Sequence, residues 1–207
     1  MKEEILQAIS ELRKQEKKKF EQSADLIINL KSFDIKRENV SLFVNLPHKA
    51  RNLKVCAFLN AKTKLADTLI KSDFDRYKGK KEAKKLAKDY DFFLAHASLM
   101  PLVAGTFGKY LGSAGKMPSP QLGIIVNESD AEIQKVIEKA ERTVRVRTKE
   151  PCIKVVIGRE SMKDEELMNN IEAVYNAVLN ALPRKKDNIR NVLIKFTMSK
   201  PAKIKIR

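Results

Sequence analysis

Between residues 51 and 149 the apolar residues fall in short unbroken runs, whereas on either side they alternate with polar ones. This contrast limits the possible folds more than any other feature of the chain. The runs at 55–59, 92–95 and 124–126 have no polar face, as expected of strands buried on both sides. Between them, 63–71, 80–88, 98–110 and Asp130–Arg142 carry helical spacing. Ser129 with Glu132 reads as a capping box for the last of these. Strand–helix alternation of this kind predicts a three-layer, Rossmann-like α/β unit around a largely parallel sheet.

The flanks have a different character. Ile5, Ala8, Ile9 and Leu12 recur at helix spacing and lead into a charged end at 17–19. Ala24, Leu26, Ile28 and Leu30 then alternate with polar neighbours, and a second strand over 41–46 stops at Pro47, which has no N–H for a ladder. Beyond residue 150 the pattern predicts a strand at 153–157, a turn at Gly158 and a helix over 163–182. Asp164, Glu165 and Glu166 in its first turn suit the positive end of the helix dipole. Closing strands follow at 190–198 and 202–206, with Val192, Ile194, Phe196, Ala202, Ile204 and Ile206 on one face.

Neither flank alone carries enough apolar surface for a core. Together they predict one α+β domain, residues 1–50 and 150–207, with an antiparallel-rich sheet and two helices on one face. Residues 51–149 are then an inserted domain. The two chain crossings, near 49–52 and 148–151, would make a hinge.

Charge narrows the partners. The 207 residues include 42 Lys and Arg against 26 Asp and Glu, a net charge of +16. Such a surplus repels itself unless a polyanion neutralises it, which points first to nucleic acid and second to an anionic membrane. The excess is +2, +8 and +6 over residues 1–50, 51–150 and 151–207, so charge alone does not select the binding domain. The polar face of the terminal sheet is more selective, because it gathers Ser23, Asp25, Lys195, Thr197, Lys203 and Lys205. No apolar stretch approaches the roughly 20 residues that span a bilayer, so no membrane association is expected. The charged N-terminus has no apolar signal core. Cys56 and Cys152, far apart and without CxxC spacing, fit reduced thiols in an intracellular protein. With two histidines, the chain offers few metal ligands, and no cofactor is expected.

Enzymatic motifs fail on inspection. Gly112 to Lys116 reads GSAGK, but a phosphate loop would need glycine where Tyr110 stands and Ser or Thr where Met117 stands. His96 and Ser98 lack a nucleophile elbow and read as a strand-end histidine with a local partner. Asp89 and Asp91 fall in a connection and read as solvated.

Residues 92–120 read FFLAHASLMPLVAGTFGKYLGSAGKMPSP. The words ASLMPLV, GKYLG and GKMPSP, at this spacing, closely resemble the signature of the ribosomal protein L1 family, in particular its archaeal and eukaryotic branch. LPH at 46–48 and the Thr197–Met198 pair sit where that family places them. The resemblance covers essentially the whole chain. It implies a non-enzymatic structural constituent of the large ribosomal subunit, cytoplasmic and monomeric when free. It also implies binding to the L1-stalk region of 23S-type large-subunit rRNA, a part in release of deacylated tRNA from the exit site, and repression of translation of its own mRNA.

The resemblance further implies RNA contacts from the terminal domain. The motif K-F-x-x-[ST] matches Lys19, Phe20 and Ser23, followed by acidic Asp25. The turn before the second helix of that domain matches Gly158, Arg159 and Ser161, and the strand-end T-M-G matches Thr197 and Met198 with Ser199 in place of glycine. Lys195 lies on the same face, while Lys109 and Lys116 of the inserted domain would make secondary contacts. Phe20 can stack on a base or ribose while lysines meet phosphates. Met198 continues an apolar strand face, so packing behind the loop and direct contact with RNA are both open to it. Two further departures from the family are Lys49 after the hinge histidine and Ser113–Ala114 in the loop before Gly115. An extraribosomal RNA-binding translational regulator is the alternative reading, and an α/β enzyme using the Gly-rich loop is a second.

Overall fold

The computed structural model describes residues 2–15, 18–34, 38, 40–77, 79–148 and 150–205. In chain order its elements are α1 (Lys2–Arg13), β1 (Ser23–Leu30), β2 (Ser41–Asn45), β3 (Val55–Phe58), β4 (Asp67–Leu69), α2 (Lys80–Asp89), β5 (Phe92–His96) and α3 (Met100–Ala114). Then come β6 (Ile124–Ile125), α4 (Asp130–Arg142), β7 (Thr143–Arg147), β8 (Cys152–Arg159), α5 (Asp164–Ala181), β9 (Ile189–Phe196) and β10 (Ala202–Ile204). Two compact units emerge, one of Met1–Arg51 with Arg142–Arg207 and one of Asn52–Glu141.

In the terminal unit, four antiparallel strands run in the order β10-β9-β1-β8. The central pair joins the two ends of the chain, with Leu26 opposite Ile194 and Ile28 opposite Val192. Alternate residues of β1 and β9 are buried, and the apolar stripes of α1 and α5 cover that face. Ile5, Ile9 and Leu12 of α1 are at most 1% exposed, and each such aliphatic side chain contributes roughly 1.5–3 kcal/mol by burial. The uncovered face carries Asp25, Ile27 and Asn29 opposite Lys195, Leu193 and Asn191. A second, two-stranded antiparallel sheet pairs β2 with β7. β7 therefore belongs to the terminal unit, although its sequence position suggested the insertion.

The second unit holds a parallel sheet in the order β4-β3-β5-β6. Period-two alternation sorts its side chains between two helical layers. Cys56, Phe58, Phe93 and Ala95 pack with Leu86, Val103 and Phe107 of α2 and α3. Val55, Ala57, Leu94 and Ile125 pack with Ile133 of α4. The expected three-layer α/β architecture is what forms.

Several local expectations are corrected. Residues 63–71 are not helical: Asp67–Leu69 pairs with β3, and a 3₁₀ turn spans Lys71–Tyr77. Short side chains compete here with helical backbone bonding. The Thr63 hydroxyl accepts from Leu65 N at 3.0 Å, and the Asp73 carboxylate accepts from Ile70 N at 3.3 Å. The strand at 124–126 pairs through Ile124 and Ile125, leaving Val126 71% exposed. Helix α3 begins at Met100, after a 3₁₀ turn over Ala97–Leu99. Ser129 accepts from Glu132 N at 3.3 Å, which is half of the expected capping box. Lys17 and Ile206, assigned above to a helix end and a strand, lie outside the described residues.

Candidate nucleic-acid interface

Three connections meet at one end of the four-stranded sheet: the α1–β1 loop, the β8–α5 loop and the β9–β10 turn. The ladder brings them there, since Ser23 pairs with Arg159 and Ala24 with Phe196. Hydrogen bonds then tie the loops across most of the chain length. The Thr197 hydroxyl accepts from Ser23 N at 3.2 Å, and Thr197 N donates to Ser23 O at 3.1 Å. Gln22 lies deeper, 3% exposed. Its Oε1 accepts from Met198 N at 2.9 Å, its Nε2 donates to Glu160 Oε2 at 3.2 Å, and its carbonyl accepts from Glu160 N at 2.8 Å. Gln15 brackets the turn, accepting from Lys200 N at 2.9 Å.

Arg13, from the last turn of α1, donates Nε to Asp164 at 2.5 Å and Nη2 to the Met162 carbonyl at 2.5 Å. Glu21 receives both the Ser161 hydroxyl and the Arg159 guanidinium. The Ser161 bond, then the Arg159 bond, hold the Glu21 carboxyl below its ordinary range. A groove on this surface is lined by Arg13, Lys18, Lys19, Phe20, Glu21, Glu160 and Ser161.

Against this rigid frame, two large apolar side chains stay in water. Phe20 is 53% and Met198 65% exposed. Of the two roles open to Met198, packing behind the loop does not occur: β9 ends at Phe196, so Thr197 and Met198 turn away from the strand alternation. Asp25 lies on the uncovered sheet face opposite Lys195. Burial pushes its carboxyl upward, and the Lys195 ammonium pulls it partly back.

Ser199 is turned inward. Its hydroxyl accepts from Phe196 N at 2.8 Å and can donate to Phe196 O at 3.2 Å. Among the described non-glycine residues only Ser32 and Lys185 have positive φ, so this position does not need a glycine conformation.

Two residues drawn into the site by resemblance have other tasks. Gly158 is not a turn but a buried position of β8, beside an irregularity between Ala24 and Asp25. A Cβ there would lie 2.6 Å from Met162 Sδ and 2.7 Å from Leu167 Cδ2, so glycine admits the packing of α5. Lys116 donates Nζ to the carbonyls of Ala87 at 2.9 Å and Tyr90 at 2.7 Å, capping the end of α2. Gly115, at φ 70°, is the left-handed residue that ends α3. The Gly-rich word is thus a pair of helix terminations. Lys109 stays exposed on α3.

His96 is a local partner, as expected, contacting Ser98 Oγ and Val126 O at 2.7 Å each. No cluster of three metal-ligating side chains occurs among the described residues, and no described helix is long and apolar enough to cross a membrane.

Sequence reasoning missed Arg13, Gln15, Glu21, Gln22 and Glu160. A signal existed for Gln22, because the period-two pattern of Ala24 to Leu30, extended back by one step, turns residue 22 toward the core.

Residues 12–200 match the family described as Ribosomal protein L1p/L10e. The chain belongs to the ribosomal protein L1 family. It is 36% identical to the large ribosomal subunit protein uL1 of Pyrococcus horikoshii, over 98% of this chain and 95% of the relative. Identity to the uL1 protein of Methanothermococcus thermolithotrophicus is 38%, covering 98% of both chains. For that of Thermofilum pendens it is 39%, over 91% of this chain and 86% of the relative. This L1-family chain is accordingly a ribosomal type of protein, not an enzyme.

Proposed function

We propose that this protein is a structural constituent of the large ribosomal subunit that holds the stalk region of large-subunit rRNA with the strand-end cluster of its terminal unit. The observation that carries the reading is the exposure of Phe20 and Met198 on a framework locked by Gln22, Thr197 and Ser23. A flat aromatic ring suits a base or ribose, while Lys18, Lys19 and Lys195 suit phosphates. Because the hydrogen bonds are already made in the free protein, recognition acts by shape, and the lysines supply the salt-dependent part of affinity. As part of the ribosome the protein is cytoplasmic. The same cluster would serve a matching fold in its own mRNA, giving repression of translation, and a place on the stalk would let the protein assist departure of deacylated tRNA.

Binding of a stalk rRNA fragment tests the reading. Phe20→Ala and Thr197→Ala should each weaken it by roughly 1–3 kcal/mol, the scale of a base stack or a specific hydrogen bond. A variant in which a short linker replaces residues 53–141, which keeps β7 with β2, should retain most affinity. Binding carried by the isolated second unit would refute the assignment. Sedimentation of the native protein away from large subunits would instead favour the extraribosomal regulator.

A further inference from the structure

At the opposite end of the four-stranded sheet, the start of β9 and the end of β10 open a groove of ≈ 350 Å³. Its walls are Ile189, Val192 and Ile204, and α5 contributes Tyr175, which is 2% exposed. Lys186, Arg190, Lys203 and Lys205 complete the lining, and no acidic residue belongs to it. Among the described residues, Arg190, Lys203 and Lys205 form no ion pair, and the Tyr175 hydroxyl has no hydrogen-bond partner.

The Tyr175 ring is buried, but its hydroxyl reaches the groove, where a ligand acceptor can take its hydrogen bond. Burial also raises the tyrosine above its usual range, so the group stays protonated and available as a donor. Cations without counter-ions around such a donor select an anion, and the volume fits a phosphate with its attached sugar.

We propose that this groove is a second RNA-binding site, which takes a phosphate-bearing nucleotide unit between Arg190, Lys203 and Tyr175. The proposal rests on the RNA-binding reading above. Arg190 and Thr197 are seven residue steps apart along β9 and into the turn after it, about 23 Å at the rise of a β-strand. One phosphate cannot reach both sites, so a bound RNA would follow the sheet from the strand-end cluster to the groove.

The test is the salt dependence of binding by the full chain to the stalk rRNA fragment. Arg190→Ala with Lys203→Ala should lower the slope of log K against log salt by about 0.7–0.9 for each phosphate left without its cation. Tyr175→Phe should weaken binding two- to tenfold with the slope unchanged. Lys80→Ala with Lys81→Ala removes equal charge from α2 and serves as the control. Equal slopes for the two double variants would overturn the groove, because only the general field of the protein would then be acting. If Phe20→Ala still weakens binding in that case, the strand-end reading survives alone. If the native chain binds no RNA, the primary reading fails. Titration with inorganic phosphate, followed through the Tyr175 ring resonances, then decides the groove, and an absence of shifts overturns it.

Discussion

Gln22 Oε1 accepts the backbone N–H of Met198 at 2.9 Å, so a residue just before the first strand fixes the turn after the ninth. The same amide donates to Glu160 at 3.2 Å, which makes one buried side chain the junction of three loops. Gln22→Met keeps the volume and removes both bonds. Its expected cost is about 1–3 kcal/mol of stability, because Met198 N and the Glu160 carboxylate lose their partner. Affinity for the rRNA fragment should fall with no change in salt slope, since no charge is removed. Urea unfolding and binding at two salt concentrations check this, and unchanged affinity would show that the turn holds itself.

Glu21 gives the site a pH dependence of defined sign. Its folded-state carboxyl is held below the ordinary 4.5 by Ser161 and then Arg159. The stability it contributes is therefore present above pH 4.5 and is lost as pH falls through the depressed value. Melting temperatures of the native chain and of Glu21→Gln should differ at pH 6 and converge toward pH 3. A constant difference would mean that the charge of Glu21 is not what holds Arg159 and Ser161.

Asp25 should behave in the opposite way. Burial raises its carboxyl above 3.8 despite Lys195, so the folded state prefers the neutral form. The penalty exists above the raised folded value and is relieved as pH falls through it. Asp25→Asn should thus melt higher than the native chain at pH 7 and lose that advantage by pH 3. A lower melting temperature at pH 7 would show that the Lys195 pairing outweighs desolvation.

Much of this architecture was legible in the sequence because apolar periodicity follows from burial. Ala24, Leu26 and Ile28 alternate since one sheet face is covered, and Phe58 and Leu94 sit in unbroken runs since both faces are. The 63–71 segment escaped that logic, because Thr63 and Asp73 bond to the backbone in ways no period records. Phe20, Ser23 and Thr197 were available through resemblance. Arg13, Gln15 and Glu160 were not, because their partners lie more than a hundred residues away. Gly158 and Lys116 show the converse limit, since a motif word marks a position without saying whether it touches a ligand, makes room for a helix or closes one.

Ser199 stands where the family commonly has glycine, and its hydroxyl takes the Phe196 N–H at 2.8 Å. Ser199→Gly should lower stability by about 0.5–1.5 kcal/mol, the net worth of a hydrogen bond, with additional backbone freedom in the unfolded chain. Affinity for the rRNA fragment should change less than twofold, because the side chain points into the turn. A tenfold gain would show that the serine obstructs close approach of RNA.

Lys116 separates a structural from an RNA-binding role for the Gly-rich loop. Its ammonium satisfies the carbonyls of Ala87 and Tyr90 at the end of α2, where a cation also meets the negative end of the helix dipole. Lys116→Met retains the aliphatic stem and removes the charge. The variant should lose about 1.5–3 kcal/mol of stability, the range for hydrogen bonds to a charged group. Its affinity for the rRNA fragment, measured below the melting transition, should match that of the native chain with the salt slope unaltered. A slope reduced by about 0.7–0.9 would instead assign Lys116 to a phosphate. Exposed Lys109 provides the comparison on the same helix pair: Lys109→Met should leave stability unchanged, so any fall in affinity there reports RNA binding alone.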